Sequence, residues 1–476
     1  MILKSLQRLQ RIAWFAMIAT LPLTSMPLVK KLLGSDSVAS PAVVILFVLI
    51  FLWTAGLFFG GKMWGSTKIL PLALFCCTAV IATLISLFYK TPAFKDFGQS
   101  NPVITALGTL VIGFLFFFLA SSFPIDNEIK IRTLKIINWA GLVILIWCAI
   151  QAVAWYGSNH YPQWMFSIQG AFSARVLYRQ RVTGFALEPS WLAHQLNMLY
   201  LPFWISASMT GYTSHSFRLR KLSLENILMI GGIAALGLTL SRVGFAALLF
   251  MAALAYTRIH PRLVSNVHDW AASRQIFGFK PDRKVISKAM FIGYVLILAI
   301  LIFIFSKIDP RMATLFKFSF DQDNPLLRYF NQLKFGDRVV YWLTGWNIFN
   351  EFPILGVGLG NAGFYFPKNI PPYGWSLLEV RRLMYRSHLL LNVKSLWFRL
   401  LAETGIVGFS LFAGWIISLV SFLTDKYRSI NKQEQMMGFA GLLVVIGITF
   451  EGLSIDSFAM PYWWISLGLA VASYKK

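Results

Sequence analysis

The sequence predicts an all-α polytopic membrane protein with about twelve transmembrane helices and one large helical extracytoplasmic loop. Of the 476 residues, 57% are hydrophobic and only 13% are charged, whereas a soluble domain has about 25% charged residues. Uncharged runs at 41–60, 69–89 and 290–305 are close to the length needed to cross a hydrocarbon core of about 30 Å. This composition excludes an ordinary water-soluble enzyme.

Twelve apolar segments along the chain are candidate spans. The seventh and eighth are short and are separated only by Ser241 and Arg242. The N-terminus is basic and then apolar without a small-residue cleavage site, so we interpret it as a retained first span. We expect helices one to nine in residues 1–305, an extracytoplasmic cap at 306–399 and the last three helices in 400–476. The predicted spans are 12–29, 41–60, 69–89, 103–122, 135–156, 190–208, 225–240, 243–257, 287–306, 404–423, 436–453 and 457–474.

The net charge of +24 follows the predicted topology. With the N-terminus inside, lysine and arginine collect on the cytoplasmic segments, while Glu451 and Asp456 lie on a loop of the other face. This satisfies the positive-inside rule. The cytoplasmic part of the positive surplus is therefore assigned to orientation and to anionic lipid headgroups rather than to nucleic acid, and the rest lies on the predicted outer face.

The loop at 306–399 is rich in aromatic residues and is predicted to pack. Residues 336–351 have helical spacing that ends before Pro353, and a glycine turn follows at 356–360. Because this turn has no strand–turn–helix context, it does not predict a nucleotide-binding site.

Four basic sites fall on the predicted outer face. They are Arg181 with Arg175 and Arg179 upstream, Arg242, Arg338, and the stretch RRLMYRSH at 381–388. Arg242 stands between two apolar segments, where an arginine costs several kcal/mol unless it faces water or an anion. The alternative is that its side chain snorkels to the headgroups.

The stretch at 381–388 suits phosphate binding if residues 376–389 form a helix. Arg381 and His388 would then share one face, beside a stripe of Arg382 and Arg386. Guanidinium groups grip phosphate bidentately, and a nearby histidine can act as a general base. The alternative is a solvated loop with no catalytic role.

Glu188, before Pro189, is the best single acid in the sequence. It is either catalytic or a carboxylate placed at a helix N-terminus, where the helix dipole favours it. The histidines are scattered and Cys76, Cys77 and Cys148 lie in apolar runs, so neither a metal site nor a disulfide framework is predicted. Asp321 and Asp323 are interpreted as loop residues.

The order of several stretches resembles the O-antigen ligase and polymerase superfamily of bacterial surface polysaccharide assembly. These stretches are LTLSRVGFAALL, GDRVVYWLTGWNIFNEFPILGVGLGN and RSHLLLNVKSLWFRLLAETGIVGFSLF, and the resemblance covers about residues 180–425. In addition, RVTGFALEPSWLAH is similar to a stretch of the polymerase-like members.

This resemblance implies a glycosyltransferase at the outer face of the bacterial inner membrane that needs no metal or nucleotide cofactor. Its donor would be a glycan on undecaprenyl diphosphate, its acceptor a second glycan, and a chain-length regulator protein its partner. The resemblance gives His388 the role of base, with diphosphate contacts from Arg181, Arg242 and Arg338. The charge pattern at 381–388 adds Arg381 and Arg386 as further diphosphate contacts. The resemblance also makes the turn at Glu403 and Gly405 structural.

One departure from the family pattern affects the base. The family histidine is usually followed by asparagine, whereas His388 is followed by Leu389, with Asn392 one turn on. Either Asn392 orients the imidazole or Glu188 takes the proton instead.

Three functions remain open from the sequence. The ALEPSWLAH stretch favours a polymerase of lipid-linked repeats. The first alternative is a ligase that moves the glycan to a lipid A core or another acceptor, and the second is a flippase for lipid-linked sugars. A flippase is less favoured because the chain shows no repeated halves.

Overall fold

The computed structural model describes residues 1–33, 40–89, 91–123, 126–220, 222–274, 282–308 and 335–472. These residues are mainly helical with almost no strand, which confirms the all-α prediction. The first half contains α1 (Ile2–Thr20), α2 (Pro27–Leu33), α3 (Pro41–Phe58), α4 (Leu70–Ser86), α5 (Ser100–Ser122), α6 (Asn127–Ser158), α7 (Gln163–Phe172), α8 (Pro189–Gln195) and α9 (Leu201–Thr210). A π-helical turn, Leu196–Tyr200, joins α8 to α9.

A short antiparallel hairpin opens the second half. It pairs β1 (Arg218–Leu219) with β2 (Leu222–Ser223), so that Arg218 lies opposite Ser223. The helices that follow are α10 (Leu224–Thr239), α11 (Arg242–Arg274), α12 (Arg283–Ile308), α13 (Gly336–Glu351), α14 (Phe366–Asn369), α15 (Leu378–Tyr385), α16 (Leu396–Tyr427), α17 (Lys432–Glu451) and α18 (Pro461–Val471).

Eight helices within the described ranges are long and apolar enough to cross a membrane. Each of the twelve predicted segments overlaps a helix, but twelve spans remain a prediction. The observed helix ends differ most from the predicted ones at two segments that adjoin basic residues. Helix α1 begins at Ile2 instead of residue 12, and α11 continues to Arg274 instead of ending at 257. Exposed basic side chains do not interrupt a helix, since only the buried face must be apolar.

The helices form two compact units. The first contains Met1–Leu248, Gly345–Asn369 and Leu390–Lys476, and the second contains Leu249–Thr344 and Ile370–Leu389. The predicted cap at 306–399 stays a prediction, and Asp321 and Asp323 lie outside the described residues.

In the first unit, α18 packs against α5, α1 against α3, and α16 against both α17 and α4. Its core is rich in indole rings, and Trp14, Trp204 and Trp415 are fully buried. Gly141 of α6 allows the close approach of Trp204, whose ring would overlap a Cβ atom at that position. Small residues that let large rings pack are typical of helices in membranes.

In the second unit, α11 and α12 are joined by a hydrogen bond between His260 Nε2 and Ser287 Oγ, at 2.7 Å. Tyr256 stacks on the His260 ring. The apolar side chains of α12, such as Phe291 and Ile297, are exposed, as expected for a helix that faces lipid.

Candidate active site

The loop at 173–188, between α7 and α8, is anchored to α6 by Gln151. The backbone N–H groups of Thr183 and Gly184 donate to Gln151 Oε1 at 2.9 and 3.1 Å. Gln151 Nε2 donates back to the Gly184 carbonyl at 3.1 Å. Gly184 has a φ of +54°, which favours glycine, and a Cβ would lie 3.1 Å from Ile144. The loop is therefore tied to α6 by three hydrogen bonds of Gln151.

This loop brings Arg181 to the corner between α10 and α11. Arg181 Nε donates to the Thr239 carbonyl at 2.7 Å. Helix α10 ends there with Leu240 in the left-handed region at φ 51°, and α11 begins at Arg242. Arg181 is thus bonded three residues before Arg242, so the structure places two of the predicted diphosphate ligands at one corner of the first unit.

The helix dipoles at the corner affect Arg181 and Arg242 in opposite ways. Arg181 lies at the C-terminal, negative end of α10, where a cation is stabilised by about 0.3–1 kcal/mol. Arg242 is half-buried at the first position of α11, where the helix dipole disfavours a cation and favours an anion. Arg181 therefore also stabilises the fold, through its bond to the Thr239 carbonyl.

Glu188 lies at the other end of the same loop and is ion-paired. Arg175 Nη1 donates to Glu188 Oε1 and also to the Tyr178 hydroxyl. Glu188 occupies the N-cap position of α8, but its side chain accepts no capping bond from the helix backbone. The sequence placed Glu188 at a helix N-terminus correctly and missed Arg175 as its partner.

Beside the corner, a buried polar network joins three helices. His194 Nδ1 lies 2.7 Å from Glu451 Oε2. Asn197 Nδ2 donates to Glu451 Oε1 at 2.6 Å and to the Gly244 carbonyl at 3.0 Å. The network ties α8 and α17 to the first turn of α11, which starts at Arg242. Sequence analysis missed it, although polar residues three apart in an apolar segment were a usable signal.

The turn at Glu403 and Gly405 is a break in α16. Gly405 has a φ of 61°, and the helix is interrupted there. The N–H groups of Val357 and Gly358 donate to the carbonyls of Ala402 and Glu403 at 2.9 and 3.0 Å. Carbonyls freed inside an apolar environment need such donors. The glycine turn at 356–360 therefore satisfies the broken helix, in agreement with the predicted structural role.

In the second unit, Arg338 lies near a buried tyrosine. Tyr341 donates to Glu379 Oε1 at 3.3 Å, and burial, followed by Glu379 and Asp337, raises the pKa of Tyr341. Arg338 Nη1 is buried and has no hydrogen-bond partner among the residues that the structure describes. Buried donors are normally paired, so this nitrogen suits an anionic ligand.

The helix that the sequence analysis considered over 376–389 is shorter than that range, and the difference is largest at its C-terminal end. Helix α15 stops at Tyr385, and the N–H groups of Arg386 and Ser387 both donate to the Arg382 carbonyl. His388 consequently does not share a helix face with Arg381. The helix buries only Val380 and Met384, and with no further apolar residue in register nothing stabilises another turn. Arg381, Arg386 and His388 are all exposed, as is Asn392.

The predicted site residues are divided between the units. Arg181, Glu188 and Arg242 belong to the first, and Arg338, Arg381, Arg386 and His388 to the second. Convergence of all three principal arginines stays a prediction. Within the described ranges, no group of three His, Cys, Asp or Glu side chains is placed to hold a metal ion.

Residues 227–413 match the family model described as O-Antigen ligase. The matched region begins inside α10, includes Arg242, Arg338 and His388, and ends within α16. The match confirms the resemblance predicted from the sequence. No curated protein gives a match.

Proposed function

We propose that this membrane protein, which is similar to O-antigen ligases over residues 227–413, is an enzyme that polymerises undecaprenyl-diphosphate-linked oligosaccharide repeats into a surface or secreted polysaccharide. The reaction would take place at the extracytoplasmic face of the bacterial inner membrane. The observation that carries the proposal is the corner at which Arg181 is bonded beside Arg242, with Glu188 on the same anchored loop.

The proposed step is a glycosyl transfer. A hydroxyl oxygen of the acceptor forms a bond to the anomeric carbon of the donor while the bond from that carbon to the diphosphate oxygen breaks. The diphosphate leaves with the electron pair, and the hydroxyl proton passes to a base. Guanidinium groups stabilise the negative charge that grows on the leaving diphosphate, since charge-assisted hydrogen bonds are strongest to such oxygens.

Two side chains compete for the role of base. Glu188 is supported by its position on the loop that carries Arg181, but its carboxylate is engaged by Arg175 and must be released to take a proton. His388 is supported by the family resemblance and is exposed. Arg338, Arg381 and Arg386 keep their proposed roles as further phosphate contacts.

The second candidate function is a ligase that transfers the glycan to a lipid A core or another acceptor. The description of the matching family favours it directly. Transport of lipid-linked sugars ranks third. Transporters do bind substrates at broken helices, but the carbonyls at the break in α16 are already bonded to Val357 and Gly358.

The deciding experiment is incubation of the purified protein with a synthetic undecaprenyl-diphosphate repeat, with and without a lipid A core. A ladder of products on a gel is expected for a polymerase. Transfer only to the core would replace the proposal with the ligase, and unchanged substrate would favour transport.

Arg242→Ala is the matching variant and should abolish the ladder while the protein stays monodisperse in detergent. Arg218→Ala, which removes an exposed arginine from β1, is the control and should behave as wild type. Wild-type turnover in Arg242→Ala would remove this arginine from the mechanism.

A further inference from the structure

A groove of about 580 Å³ opens on the first unit beside Arg175. It lies between α2, which contributes Lys30 and Lys31, and α7, which contributes Phe166. The adjoining chain is fixed, because the Ala174 N–H donates to the Ser25 carbonyl at 2.8 Å. The groove therefore has a defined wall, formed by the start of the loop at 173–188.

The charge of the groove is positive. Lys30, Lys31 and Arg175 line it, and among the described residues of its lining none is acidic. Both lysines are exposed. Three cationic side chains on one groove attract an anion, and phosphate oxygens accept charge-assisted hydrogen bonds from lysine and arginine alike.

The remaining surface of the groove is poorly suited to a sugar ring. Pro27, Phe166 and Val176 give it apolar walls, and Ser173 is the polar uncharged residue among those that line it. The Ser173 hydroxyl is buried and already donates to the Ala186 carbonyl at 3.3 Å. A saccharide needs several hydrogen-bond partners, whereas a phosphate on an apolar chain needs cations and apolar contacts.

Helix α7 indicates that the ligand arrives from the membrane. Besides Phe166, it exposes Trp164, Ile168 and Phe172. A short helix that exposes aromatic and aliphatic side chains is typical of one lying at the membrane interface. A ligand bound between such a helix and two lysines is more simply lipid-borne than soluble.

We propose that this groove binds the diphosphate of a second polyprenyl-linked lipid, the acceptor, while Arg181 and Arg242 hold the departing diphosphate of the donor. The inference rests on the proposed function, in which both substrates are lipid-linked. The inference also explains how the ion pair between Arg175 and Glu188 could be broken. An acceptor diphosphate that binds Arg175 replaces the Glu188 carboxylate as its partner, and the carboxylate is then free to accept the proton of the acceptor hydroxyl. One loop would thereby couple acceptor binding to activation of the base.

The test is equilibrium binding of radiolabelled farnesyl diphosphate to the full chain in nanodiscs of neutral phosphatidylcholine. The wild-type protein should bind two molecules of farnesyl diphosphate per chain, that is, two equivalents. Lys30→Ala/Lys31→Ala should weaken one equivalent by at least about tenfold, since it removes two charge-assisted contacts, and Arg242→Ala should weaken the other. The control Lys62→Ala/Lys432→Ala, which removes two exposed lysines outside the groove, should still bind two.

Two results would overturn the inference. Undiminished binding of both equivalents by Lys30→Ala/Lys31→Ala would exclude the groove. Displacement of one equivalent by phosphatidylglycerol added to the nanodiscs would make it a general site for anionic lipid. The outcome is separable from the proposed function: two equivalents with no product ladder would support the groove and refute the polymerase, and one equivalent with a normal ladder would do the reverse.

Discussion

Replacement of Arg181 by lysine separates its structural role from its catalytic one. Lysine keeps a positive charge at the C-terminal end of α10 but lacks the rigid fork with which arginine donates from Nε and from its terminal nitrogens together. In the structure, Nε is committed to the Thr239 carbonyl at 2.7 Å. A single ammonium group can replace that bond or contact a phosphate, and it cannot hold both in the same geometry.

The expected magnitudes differ for folding and for catalysis. A hydrogen bond from a charged donor contributes about 1.5–3 kcal/mol, and lysine can recover part of it at the helix terminus. We therefore expect the free energy of unfolding to fall by about 1 kcal/mol. In catalysis the lost phosphate contact is not recovered, and the same range corresponds to a fall in kcat/KM of about 10- to 160-fold.

The assay is the initial rate of product formation from the synthetic lipid-linked repeat, measured beside thermal unfolding in the same detergent. Arg218→Lys, at an exposed position of β1, is the control for a change of arginine to lysine. A variant with wild-type kcat/KM would refute the diphosphate role of Arg181. A variant that loses activity only in proportion to its folded fraction would reduce Arg181 to a structural residue.

Three further predictions concern the backbone, the base and the cation. Gly405→Ala should lower the free energy of unfolding by at least about 2 kcal/mol, because a Cβ at φ 61° is strained and would overlap the Ile354 carbonyl. Gly414→Ala is the matched control, since its Cβ meets nothing within 4 Å. Equal thermal unfolding of the two variants would contradict the argument. Of His388→Gln and Glu188→Gln, the variant that removes the base should lower kcat by about 100-fold or more, and a small loss in one variant would eliminate that residue as base. Activity should persist in EDTA, since arginines are proposed to stabilise the leaving group; activity lost in EDTA and restored by Mg²⁺ would show that a divalent cation takes part.

Periodicity predicted the helices well because it depends on local residues. The aromatic segment 336–351 forms α13 with the predicted bounds, Gly336–Glu351. The apolar run before Arg258 was predicted to end near residue 257, yet α11 continues to Arg274. Hydropathy detects where an apolar face ends, and a helix continues beyond it as long as its backbone hydrogen bonds are satisfied.

The sequence identified individual charged residues of the candidate site but not the contacts between residues that are distant in sequence. Arg181, Arg242 and Glu188 were identified because charges are conspicuous in apolar surroundings. The buried network beside the corner was not identified, because its members are distant in sequence: Glu451, which lies 2.7 Å from His194, is 257 positions away. In the stretch at 381–388 the charge pattern suggested a longer helix than the one that forms. Met384 is the last buried residue of this helix, so no apolar contact stabilises a further turn.

The central claim is that the donor diphosphate lies at the corner between α10 and α11. Photo-crosslinking tests it most directly, with an unreactive bisphosphonate analogue of the donor that carries a diazirine next to its phosphorus atoms. Mass spectrometry should find adducts in peptides that contain Arg181 and Arg242, and Arg242→Ala should reduce them. Adducts confined to peptides that contain neither arginine would contradict the account.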